Sequence, residues 1–404
     1  MTMNKLTSFG SYLVLVTFIA ALLISALFSL SGMNAKFSPF YGDLFGFSPI
    51  ALVIMVGLVA SIGIGFLCET KTSIYRTCLA LSIIAGASFQ ILPALEGYFL
   101  YGNGDPSNHL GSVLTILQTG KISSLNWYPA MHIFTAIFLE ITSLPMISSP
   151  SFLGEIIYFT FVLGSFSLIP KIFASDNARR VSMLVVTGAP VGSYMYPTYF
   201  ALALLPVLML SFQKNSTGWN VIFFVLSFAL TISHPLVALL FVTSILVWHI
   251  FIKKESPGTK FAVLVCYFVG WLGYNLLFKL IIVEIVFKFG IGPAANGQVV
   301  PELISFFGLG TAIEIAARQI LPLFVFALLE LVVILKWRQR GFALMVLALL
   351  AVLSMLFYPA SLVVSSLDIG IQRFLPYISI ASFLLAGVFF VRRGPGTVRR
   401  TKMV

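Results

Sequence analysis

The sequence predicts an all-α polytopic membrane protein, with about twelve or thirteen transmembrane helices and an amphipathic helix in its first large outer loop. Three observations carry that prediction. Of 404 residues, 59% are hydrophobic and 9% charged, against roughly 25% charged in ordinary soluble domains. Apolar runs close to the length that crosses a bilayer core, about 20 residues, recur from end to end. The basic residues fall in short clusters between those runs.

The runs include Tyr12–Leu30, Ile50–Leu67, Val221–Ser233, Pro235–Ile252, Phe342–Phe357 and Phe374–Val391, the shorter ones completed by boundary residues. They are continuous rather than alternating. In lipid, where every backbone group must be satisfied internally, continuity means helices and not barrel strands. The first run is too long for a signal-peptide core and reads as a retained span. Residues 1–404 therefore form a single integral-membrane domain.

The net charge of +11 does not indicate nucleic acid, because of how it is distributed. Lys71/Arg76, Lys171/Arg179/Arg180, Lys253/Lys254/Lys260 and Lys336/Arg338/Arg340 sit between spans, and 392–404 is a basic tail. This is the positive-inside pattern of a multi-pass plasma-membrane protein with a cytoplasmic C-terminus. Cys68, Cys78 and Cys266 have neither disulfide nor metal spacing and read as packing residues. Counting forward from an inner N-terminus puts the loop at 97–127 outside. Counting back from the tail puts Lys171–Arg180 inside. The two differ by one crossing, so a segment between Ala130 and Pro170 enters without spanning, or one early segment falls short. Leu144-Pro145 and Ser148-Ser149-Pro150-Ser151 would break a helix there.

Within 97–127, Asp105-Pro106 is a strong helix start, an N-cap acceptor followed by proline at the first helical position. Leu110, Val113, Leu114 and Leu117 then follow helical periodicity, and Thr119-Gly120 ends it. The prediction is a short helix lying on the membrane surface. Trp127 and Tyr128 mark re-entry through the aromatic belt. A second outer segment spans 287–319, where Glu314 and Arg318 are spaced to pair on a helix. A third, Val363–Arg373, carries Asp368 and Arg373. Ionisable groups at a membrane boundary are costly to hold. The stretch Gly104-Asp105-Pro106-Ser107-Asn108-His109, with Trp127-Tyr128-Pro129-Ala130-Met131-His132 after it, is thus the natural place to look for chemistry. It holds two of the four histidines.

In these residues the chain resembles the GT-C superfamily of integral-membrane glycosyltransferases. The resembling features are the acidic outer loop, the amphipathic helix ending in Thr119-Gly120-Lys121, and the span opening Tyr128-Pro129-Ala130-Met131-His132. Gln372-Arg373-Phe374-Leu375-Pro376-Tyr377 is similar to the Arg-Phe segment that opens a late span in prokaryotic members. The resemblance implies transfer of a sugar from a polyprenyl-phosphate-linked donor to a glycan, lipid or protein acceptor on the outer face. It implies Asp105 as general base on the acceptor hydroxyl or as a holder of a divalent metal. Arg373 would grip the carrier phosphate, and His109 and His132 would orient the acceptor or contact phosphate. Metal-using members carry a second acidic motif in a later outer loop. The comparable stretch here, Gly188-Ala189-Pro190-Val191-Gly192-Ser193-Tyr194-Met195-Tyr196-Pro197, has no acid, which disfavours a metal cofactor.

Each residue also has a plainer reading. Asp105 would serve as an N-cap alone, His132 as an interfacial side chain, and Arg373 as a partner for Asp368. His234-Pro235 reads as a turn between two spans, and His249 as interfacial beside Lys253. Glu140, Glu155 and Glu330 fall in or near spans, where a charge costs about 2.5–3.5 kcal/mol, but no sequence partner names a function for them. Glu284 and Lys288 are spaced to neutralise each other. The sequon Asn215-Ser216-Thr217 lies in an inner loop and is discounted. Two other functions compete: a transporter or flippase for a lipid-linked or small polar substrate, and a non-catalytic scaffold. A transporter would show related halves with polar residues near the midplane. This sequence shows no repeat and gathers its polar groups at a boundary, which favours the enzyme.

Overall fold

A computed structural model describes residues 49–68, 72–91, 105–123, 126, 129–146, 149–189, 191, 197–253, 258–289, 342, 346–350 and 384. Among these residues the fold is all-helical, with no strand. In chain order the helices are α1 (Pro49–Leu67), α2 (Ser73–Gln90), α3 (Asp105–Thr119), α4 (Pro129–Thr142), α5 (Ser149–Ile172), α6 (Asp176–Val186), α7 (Pro197–Gln213), α8 (Thr217–Ser233), α9 (Pro235–Val247) and α10 (Thr259–Phe289). The turns of Trp248–Lys253, directly after α9, are π-helical. Among the described residues, α5, at 24 residues, is long and apolar enough to cross a bilayer, and shorter apolar stretches include Val53–Leu67, Pro129–Thr142, Pro197–Gln213 and Thr217–Ser233.

Helix ends follow local chemistry. The Thr72 hydroxyl accepts the Tyr75 amide at 3.2 Å and starts α2. Gly120 adopts φ 64°, the left-handed stop that glycine tolerates best, and its amide donates to Ile116 O at 2.8 Å. After Thr142 the chain turns through Ser143 at φ 54° and Pro145 before α5 begins. His234 stands between α8 and α9 with extended backbone and Pro235 behind it, which is the turn expected from the sequence.

Packing relies on small residues. Tyr158 of α5 donates its hydroxyl to Thr187 O at 2.8 Å and lies 3.3 Å from Ile83 O of α2. A Cβ at Gly86 would fall on both Thr187 O and the Tyr158 hydroxyl, so only glycine lets α2 approach. Between α5 and α7, a Cβ at Gly164 would meet Val207 Cγ2 at 2.8 Å and Pro206 Cβ at 3.3 Å. Buried serines and threonines return their hydroxyls to their own helices, as Ser82 to Leu79 O, Thr135 to Met131 O and Thr231 to Ser227 O.

One sequence expectation changes. The amphipathic α3 does not simply rest on a surface. Val113 is fully buried, Leu110 and Leu117 are packed on the main core, and of the expected stripe Leu114 is the exposed member. In the stretch compared with a later outer loop, Ala189 and Val191 are fully buried, and Gly188 lies against Leu58 of α1. Helix α10 ends at Phe289, at the approximate start expected for the 287–319 segment. Residues 290–319, the Val363–Arg373 loop, the 392–404 tail, Tyr12–Leu30 and most of Phe342–Phe357 and Phe374–Val391 lie outside the described residues.

Candidate functional site

The site is assembled from two helix starts and the turn between them. Asp105 is the first residue of α3, and His109 follows one turn later on the same helix. The Gly120 stop reverses the chain, and the Asn126 amide donates to Ser123 O at 3.0 Å, closing a turn ahead of α4. Pro129, whose missing N–H costs nothing at a helix start, opens α4, and His132 falls in its first turn. The apolar residues next to these starts are buried, with Val113 and Met131 fully so and Ala130 nearly so.

Two side chains that sequence reasoning put in one neighbourhood are in direct contact. His109 Nδ1 lies 2.9 Å from His132 Nε2, with ring centroids 5.0 Å apart and planes tilted by 31°. On its other side His132 Nδ1 lies 3.0 Å from Asn126 Oδ1. His132 is 1% exposed and His109 half-buried. A buried imidazole bonded through both nitrogens is a satisfied polar group, which is how such a ring is tolerated inside. Phe134, two residues after His132, packs on Phe200 at 5.6 Å, so α4 meets α7 near the start of both helices.

Of the remaining predicted site residues, Asp105 is placed by its backbone at the helix start, and Arg373 lies outside the described residues. Trp127 and Tyr128 also lie outside them. Asn126 was missed in the sequence reading. The available signal was a lone amide side chain six residues before His132, in a short polar turn. His249, expected at an interface, is instead 8% exposed within rings: Trp248 at 4.7 Å, Phe261 at 6.4 Å and Phe212 at 6.5 Å between centroids.

Among the described residues no group of three or more His, Cys, Asp or Glu side chains is arranged to hold a metal. The two histidines are bonded to each other and an amide, an arrangement suited to passing or fixing protons. Cys68 and Cys78 are buried free thiols, as packing residues would be, whereas Cys266 is exposed. No protein-family model matches this chain, and no curated protein is significantly similar to it.

Proposed function

We propose that this chain is a polytopic membrane glycosyltransferase of GT-C type, moving a sugar from a polyprenyl-phosphate carrier to a hydroxyl acceptor at the outer face. The membrane part of this reading is supported by an inverted pattern of exposure. Val59, Leu163, Val225, Phe228 and Val269 are all half or more exposed, while Ser82, Ser165, Ser182, Ser227 and Thr231 are fully buried. Water would disfavour so broad an apolar exterior; lipid accommodates it, and small hydroxyl residues between helices are the membrane packing style.

The observation that carries the catalytic part is the His109–His132 bond, one helical turn from Asp105. In the reaction, the acceptor hydroxyl oxygen attacks the anomeric carbon, and the bond from that carbon to the carrier phosphate oxygen breaks. The phosphate keeps the electron pair, and the hydroxyl proton passes to the Asp105 carboxylate, a general-base role. Arg373 would balance the phosphate charge through its planar donors. His109 and His132 would orient the acceptor. The carrier is itself a membrane lipid, so the bilayer is both solvent and source of substrate.

Membranes carrying the full chain, supplied with labelled polyprenyl-phosphate sugars, test this. Asp105→Asn keeps a helix cap and removes the base. The expected result is a loss of transfer on the order of 10²–10⁴-fold with unchanged protein level. Transfer at the wild-type rate in Asp105→Asn would remove the catalytic assignment. Movement of a lipid-linked sugar across the membrane without transfer would favour the flippase.

A further inference from the structure

We infer that Asn126 is a positioning residue, which fixes the nitrogens of His132 and His109 that carry protons. An amide oxygen only accepts hydrogen bonds. At 3.0 Å from Asn126 Oδ1, His132 Nδ1 must therefore be the protonated nitrogen. In the neutral ring this leaves Nε2 with a lone pair, and that lone pair faces His109 Nδ1 at 2.9 Å. His109 Nδ1 is then the donor, and its own Nε2 is the basic nitrogen. One amide thus sets the polarity of a chain of three side chains, as the third member of a catalytic triad sets its histidine tautomer.

The geometry holds this polarity in place. The Asn126 backbone N–H is bonded into the turn at Ser123, which places its side chain beside His132, buried in the first turn of α4. Turning the His132 ring would break its bonds to both Asn126 and His109, a costly loss for an imidazole that is 1% exposed. On the sugar-transfer reading, on which this consequence rests, the fixed tautomer sets how the two rings orient the acceptor, whose proton goes to Asp105. Asn126 acts through the rings and touches no reacting atom.

The test needs no substrate. The chain has four histidines, so the full-length protein labelled with ¹⁵N-histidine gives a small set of imidazole signals. His109→Gln and His132→Gln assign them. The expected wild-type spectrum has His132 protonated at Nδ1 and not at Nε2, and His109 protonated at Nδ1. Asn126→Asp keeps an oxygen acceptor and should retain that pattern. Asn126→Leu should release His132 to the tautomer mixture of a free imidazole. A wild-type His132 protonated at Nε2 would overturn the inference, as would an Asn126→Leu spectrum identical to wild type. If Asn126→Leu does not fold, the wild-type and Asn126→Asp spectra decide. Because no sugar donor is present, the expected pattern in a protein that transfers no sugar would sustain this inference and remove only the proposed function.

Discussion

The two ends of α7 use polar side chains in opposite ways. Near its start, the His109–His132–Asn126 chain bonds side chain to side chain. At its other end Lys260, from the start of α10, donates to Ser211 O at 2.7 Å and also to Phe212 O and Lys214 O. These are orphan carbonyls at a helix C-terminus, where a cation is favoured both as a donor and against the helix dipole. The same ammonium lies 5.5 Å from the Phe223 ring centre of α8. Phe200 and Ser211 mark the two ends, about 17 Å apart at 1.5 Å per residue. A cation committed to carbonyls and a ring joins α7, α8 and α10. The histidine end orders side chains against one another, whereas the lysine end ties helices together through backbone.

That contrast can be broken from either side. The largest expected effect is at the histidine end. His132→Leu should lower sugar transfer by about 10²-fold, while its melting midpoint in detergent falls by less than that of the lysine variant below. A fall in stability that accounts for the whole loss would make the pair structural. Next is Lys260→Met, which keeps the apolar stem and removes the donors. It should cost about 1–3 kcal/mol of stability in denaturant titration, the penalty for leaving carbonyls unpaired, with transfer per folded molecule unchanged. A selective loss of transfer there would erase the distinction between the ends.

Two smaller effects sharpen the comparison by probing places outside both ends. Tyr158→Phe removes the hydroxyl that bridges α5 to Thr187 and should cost about 1 kcal/mol, read as a lower unfolding midpoint. Arg179 donates from Nε to Phe173 O at 2.6 Å and pairs with Asp176 at 3.2 Å, both groups well solvated. Its replacement by Met should cost about 0.5 kcal/mol, with the ion-pair part weakening as salt is raised. A salt-independent loss above that of Tyr158→Phe would show that the α5 end is buried in the assembled protein.

Much of the helical layout was legible in the residues because its signals act over three or four positions. Asp105-Pro106 and Thr119-Gly120 bound α3, His234-Pro235 separates α8 from α9, and Pro145 stands between α4 and α5, all as read from local turn and capping chemistry. The contents of the site were half legible. Burial cost at a membrane boundary singled out His109 and His132 as residue types, but nothing in their spacing says that they touch. Asn126 passed unnoticed because an amide in a turn is ordinary until something buried needs its oxygen.

By itself, then, the sequence determined an apolar, helix-rich chain, the ends of α3, the break between α8 and α9, and the stretch that concentrates polar groups. Only the tertiary structure decided that His109 meets His132 across 23 residues, that Lys260 reaches back 49 residues to Ser211, and that Gly86 admits Tyr158 and Thr187. The physical reason is that capping and turn chemistry are local and specific. Burial of apolar surface is strong but non-directional, and helices apolar on every side have no face that names a partner. Which helices meet is settled by the close approach that Gly86 and Gly164 permit and by the few polar bonds that must be satisfied once the helices are together.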